Sequence, residues 1–246
     1  MKGLLFREFY LGRKYYLLSS LMFLLVMMIS LLINLSLICG NLSRLSEDSV
    51  FQINENACTI VTILPCLVIF ISFCTDGGVT FSDCETNWLK YCCTTPMPEK
   101  KFVGVKFTAK IITLVIALVL SVIYTAILGG ITDNPLNLSA FKNIIILFDL
   151  AVLFSSIFLT LSIRYKNKNS VTMRFVGIFA ALYIPCMFYM VTLMNNASDD
   201  DVFQSIVIPC FENLRKILLP ISPIIIIVPV CVCYVLSVRF MKRREN

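Results

Sequence analysis

A chain of 246 residues that is 58% hydrophobic and only 15% charged is too apolar for an ordinary soluble domain, which is nearer a quarter charged. Lys and Arg outnumber Asp and Glu by 21 to 15, for a formal net charge of +6, and there is no histidine. That absence excludes Ser-His and Cys-His nucleophile pairs, the His-Glu-x-x-His zinc motif and every histidine-ligated metal or haem, so the composition points to an all-α membrane protein without familiar catalytic machinery.

The chain opens on "MKGLLFREFYLGRKYYLL", a basic amphipathic stretch, and passes into an apolar run at about residues 17 to 40. A bilayer core of about 30 Å needs about 20 helical residues, and five further runs qualify, at about 57–75, 107–130, 142–163, 173–194 and 219–240. The first run is too long for a signal-peptide core and no small-residue cleavage site follows it, so it is expected to be retained. The fifth contains Pro185, and the sixth holds Pro220, Pro223 and Pro229, which should make its outer half irregular and kinked. The expected architecture is therefore polytopic, with six transmembrane helices in a single domain spanning residues 1–246.

Short cytoplasmic loops collect Lys and Arg. Lys2, Arg7, Arg13 and Lys14 precede the first run; Lys90, Lys100, Lys101, Lys106 and Lys110 lie between the second and third or at the start of the third. Arg164, Lys166, Lys168 and Arg174 separate the fourth and fifth, and Arg239, Lys242, Arg243 and Arg244 end the chain. The opposite side keeps only Arg44, Lys142, Arg215 and Lys216. Both termini are thus expected in the cytoplasm. The positive net charge then lies beside anionic headgroups and needs no nucleic acid to explain it.

The connection 76–106 carries eight charges, four acidic (Asp76, Asp83, Glu85, Glu99) and four basic (Lys90, Lys100, Lys101, Lys106). Ser82 and Glu85 form a Ser-x-x-Glu capping box, so a helix should begin there. Pro96 and Pro98 stop it near Cys93. Cys84, Trp88 and Tyr91 recur at i, i+4 and i+7 and share one face, while Asp83, Asn87 and Lys90 turn elsewhere. A Trp/Tyr helix can lie in the headgroups. A rigid aromatic anchor ringed by charge of both signs better suits a groove on a protein partner.

These residues also resemble a known family. Asp83 to Trp88, followed by "TTPMPEKKFVGVKF", resembles the first cytoplasmic loop of bacterial type 2 ATP-binding cassette (ABC) transporter permeases, with Pro96, Lys100, Lys101, Val103, Lys106 and Phe107 at the family's positions. Thr95 stands where Leu is usual, and Pro98 where a small polar residue is commoner. The opening "MKGLLFREFYLGRKYYLL" is similar to the family's amino end, so the resemblance implies an amphipathic amino-terminal helix lying at the membrane surface before the first span, in an exporter permease of the cytoplasmic membrane that pairs with a second permease subunit. It implies a coupling helix, with Asp83, Glu85, Trp88, Tyr91, Pro96, Lys100 and Lys101, seated in a cleft of a separate ABC ATPase. No Gly-x-x-x-x-Gly-Lys-Ser/Thr phosphate loop is present, so ATP would be bound by that partner and no cofactor by this chain. A stand-alone membrane sensor, immunity factor or partner-binding protein remains the alternative.

Three smaller features complete the reading. Asp149, ionisable within an apolar run, should face protein or a wet cavity, hydrogen-bonding a neighbouring span, snorkelling outward or handling substrate. Asp199, Asp200 and Asp201 form an acidic run best read as a solvated loop, and "VFQSIVIPCFENLRK" is apolar but too short to cross, so it should re-enter from outside. Seven of the eleven cysteines (Cys39, Cys58, Cys66, Cys74, Cys186, Cys231 and Cys233) lie in or beside apolar runs and should pack as small hydrophobes.

Overall fold

The computed structural model describes residues 2–38, 63–73, 79, 83, 99–131, 138–165, 168–195 and 208–245. Among the described residues every element is a helix: α1 (Lys2–Ile38), α2 (Ile63–Phe73), α3 (Glu99–Ile131), α4 (Leu138–Arg164), α5 (Lys168–Asn195) and α6 (Ile208–Glu245). Four stretches are long and apolar enough to cross a bilayer: Lys2–Ile33, Glu99–Gly130, Phe141–Arg164 and Lys216–Arg243. α2 is apolar but shorter, and α5 runs for 28 residues across Pro185.

Periodicity explains which faces meet. On α1, Glu8, Gly12, Tyr16, Phe23 and Ser30 fall on one stripe of a 3.6-residue helix, and all but Tyr16 are fully buried. The opposite face leaves Leu17, Leu18, Leu24, Met28 and Leu32 about half exposed or more. So large an apolar surface is stable against lipid tails and unstable against water. Gly12 is required by a close approach: a Cβ there would stand 2.5 Å from the Tyr16 ring, which is stacked on Phe73 of α2 with centroids 5.8 Å apart.

α1 runs beside α3, with Glu8 against Lys106 near one end and Ser30 and Phe23 against Tyr124 towards the other. Contacts advance in the same order along both chains, so the two helices are parallel. α4 and α6 are likewise parallel, with Asp149 beside Ser222 and, further along both, Thr160 donating to the Cys233 carbonyl at 3.3 Å and accepting from the Ser237 hydroxyl at 3.2 Å. α5 folds back on α4, antiparallel, through Phe154 and Phe158 against Phe175 and Phe179. Parallel contacts between alternate spans are what a chain threading back and forth requires.

Two cores result. One joins α1, α2, α3 and α4 around Phe23, Ile69, Phe73, Leu114 and Tyr124; the other joins α3, α4 and α6 around Val103, Phe107, Leu159, Ile163 and Met241. In lipid the hydrophobic effect does not drive helices together, so small and hydroxylated residues must let backbones approach. Ala117, Ala151, Ser156, Thr160 and Ser237 are buried accordingly, and Ser156 and Thr160 satisfy their own hydroxyls on the carbonyls of Val152 and Ser156 one turn back. Cys66 and Cys233 are buried as expected, while Cys231 faces outward.

Two expectations are revised. The basic stretch at the amino end does not break from the first span: residues 2 to 38 form one uninterrupted helix, because no Pro or helix-stopping pair separates Tyr16 from Leu17. At 1.5 Å per residue it is about 55 Å long, well beyond the hydrocarbon thickness. Residues 208–216 of the expected re-entrant segment likewise continue into the last span, with Pro209 in the first turn, where a missing N–H costs nothing, and Pro220, Pro223 and Pro229 inside the helix. Residues 202–207 and the 199–201 acidic run lie outside the described residues.

Candidate functional site

The amino-terminal end of α3 carries Lys106 and Lys110 one turn apart, both buried, at the head of an otherwise apolar helix. Buried cations must be paired. Lys106 Nζ donates to Asp83 Oδ2 at 2.8 Å and to both Glu8 oxygens at 3.1 and 3.2 Å, while Arg7 Nη2 donates to the second Asp83 oxygen and Nη1 lies 3.5 Å from Glu8 Oε1. Among the described residues, two acids and two bases from three separate segments thus meet in one cluster.

Side-chain exposure falls from 25% at Arg7 and 11% at Glu8 to 2% at Lys106 and 1% at Asp83, so the Asp83–Lys106 pair is the dry centre and Arg7 the wet edge. Beside the cluster a cavity of about 20 Å³, room for a single water molecule, is lined by Glu8, Tyr16, Val79, Lys106 and Lys110. The ion pairs hold Asp83, within the 76–106 connection, against α1 and α3.

Of the residues expected to couple to an ATPase, Asp83 is helical and turned inward to this cluster. Lys100 and Lys101 are exposed on the first turn of α3, where the Lys100 carbonyl accepts a 3.1 Å hydrogen bond from Tyr234. Glu85, Trp88, Tyr91 and Pro96 lie outside the described residues. The structure thus brings together residues the motif reading did not group: Arg7 and Glu8 with Asp83 and Lys106. One signal was present, because Glu8 is the only acid among the first 46 residues.

Asp149 is 4% exposed on α4 and hydrogen-bonds Ser222 of α6, leaving Oδ1 without a hydrogen-bond partner. Ser222 stands between Pro220 and Pro223, where the missing N–H groups weaken the helix ladder. Asp149→Asn keeps a partner for Ser222 and removes the charge, so the melting temperature of the purified chain should not fall. A fall of more than about 4 °C, roughly 1 kcal/mol for a chain of this size, would mean that the charge itself holds α4 to α6.

Among the described residues, an all-helical bundle with an exposed apolar belt and a buried ion cluster towards one end is the arrangement of a membrane protein. The chain belongs to the ABC-2 family transporter proteins, whose sequence profile matches residues 3–242, nearly its whole length. No curated protein and no solved structure matches it.

Proposed function

We propose that the chain is the membrane-spanning permease subunit of an ATP-driven exporter, working with a second permease subunit and driven by separate ABC ATPase subunits. Family membership over residues 3–242 is the observation that carries this reading. The absence of a phosphate loop from the sequence assigns ATP hydrolysis to the partner. The 76–106 connection is the coupling loop, with Trp88 and Tyr91 as its aromatic face, Glu85 and Pro96 bounding its helix, and Lys100 and Lys101 presented beside it. Six spans cross the cytoplasmic membrane of a bacterium, and the basic residues put both termini inside.

The deciding experiment is purification of the full chain from its native membranes in mild detergent. An ATPase subunit that co-elutes and hydrolyses MgATP is the expected result. A chain that elutes alone, with no ATP hydrolysis in the fraction, would sink the permease reading in favour of a stand-alone membrane protein.

A further inference from the structure

We infer that Asp83 is a positioning residue that carries motion from the 76–106 connection into the bundle, through Lys106 on α3 and Arg7 on α1, and does not itself touch a partner. This rests on the coupling role proposed above and specifies how the loop is joined to the spans. The physical argument begins with reach. Asp83 is 76 residues from Arg7 and 23 from Lys106, so the chain does not bring them together locally; only the cluster does. Each Asp83 oxygen is engaged by a different helix, Oδ1 by α1 and Oδ2 by α3.

At 1% exposure, Asp83 presents nothing to a docking subunit. A buried, charge-assisted pair is short and directional, and separating it leaves a charge without solvent. A push on the loop therefore moves Asp83, Lys106 and Arg7 as one body. Glu8 completes the cluster and prevents Lys106 from following Asp83 alone, because its two oxygens hold the same ammonium to α1. The outcome is that α1 and α3, already parallel neighbours, are displaced together, and α4 and α6 are reached only through their packing on α3.

The test uses the complex purified with its ATPase, trapped with MgATP and vanadate, and reads hydrogen–deuterium exchange. In the wild-type complex trapping should change exchange across residues 2–16 and 99–110. Asp83→Asn and Arg7→Gln should each retain the ATPase but reduce that trapping-dependent change at least five-fold in both segments, with exchange in α4 and α6 unaltered as a check on folding. Trp88→Ala, by contrast, should release the ATPase. If Asp83→Asn releases the ATPase as Trp88→Ala does, Asp83 is a docking contact and the inference fails while the coupling role survives. If Trp88→Ala retains the ATPase and the two charge variants still abolish the change, the docking anchor is wrong and the link stands. A wild-type chain that binds no ATPase removes both. Should Asp83→Asn not accumulate, Arg7→Gln decides alone, since Arg7 lies at the wet edge; normal transmission in that variant overturns the inference.

Discussion

Lys106→Met should be the most damaging single change in the described part of the molecule, lowering the melting temperature in detergent by about 10 °C or more. Methionine fills the space of the lysine stem but leaves Asp83 with one partner and Glu8 with only the distant edge of Arg7. Removing one member of a buried ion pair costs about 3–5 kcal/mol, because the remaining charge is neither solvated nor neutralised. For a chain of this length each kcal/mol corresponds to about 2–4 °C. Loss of the helical circular-dichroism signal on heating reads the transition. A shift under about 2 °C would show the cluster to be structurally idle.

Trp88→Ala carries the largest expected effect on assembly. A buried aromatic anchor at an interface commonly contributes about 2 kcal/mol or more, which is roughly 30-fold in affinity. The variant should lose its ATPase during purification at wild-type dilution, while insertion and melting temperature stay unchanged, because the loop adds nothing to the apolar length of any span. Glu85→Ala should act more mildly, since losing half of a capping box costs about 1 kcal/mol or less and frays the helix without removing its anchor. If Trp88→Ala keeps the ATPase bound and instead loosens the loop from the membrane surface, the helix is a headgroup anchor, and the partner's contact must be sought around Arg164 to Arg174.

What was legible in the sequence was whatever has a local pattern. Apolar runs of bilayer length located α1, α3, α4 and α6, because length and the absence of charge are properties of contiguous residues. The end of the first helix's surface stretch was not legible: a basic amphipathic segment and the span after it read as two elements, yet nothing between Tyr16 and Leu17 stops a helix, and propagation is cheaper than a break. Pro209 misled in a similar way, reading as an interruption where it occupies a first turn.

The ion cluster was only half visible. Asp83 was read as a charged residue turned away from the Trp88 face, and in the structure its partners come from residues 7 and 106, with Glu8 joined to it through them. No spacing rule connects such positions, and an exposed acid and a buried one look the same in one dimension. Glu8, alone among basic neighbours, was the available hint. Asp149 shows the opposite case: the cost of a carboxylate in lipid predicted a protein partner, while the identity of Ser222 required the packing of α4 against α6.

That pairing also imposes an order on biosynthesis. Ser222 follows Asp149 by 73 residues, so at ordinary translation rates of about 5–20 residues per second α4 waits about 4–15 s before its partner is made. During that interval the carboxylate must be tolerated by the insertion machinery on the strength of the surrounding apolar residues alone, against a cost of about 3 kcal/mol. Shortening the wait is not open to the chain, because α5 must be laid down in between. A chain truncated before residue 222 should therefore hold Asp149 without the Ser222 hydroxyl, and α4 should stay in lipid on its apolar residues alone.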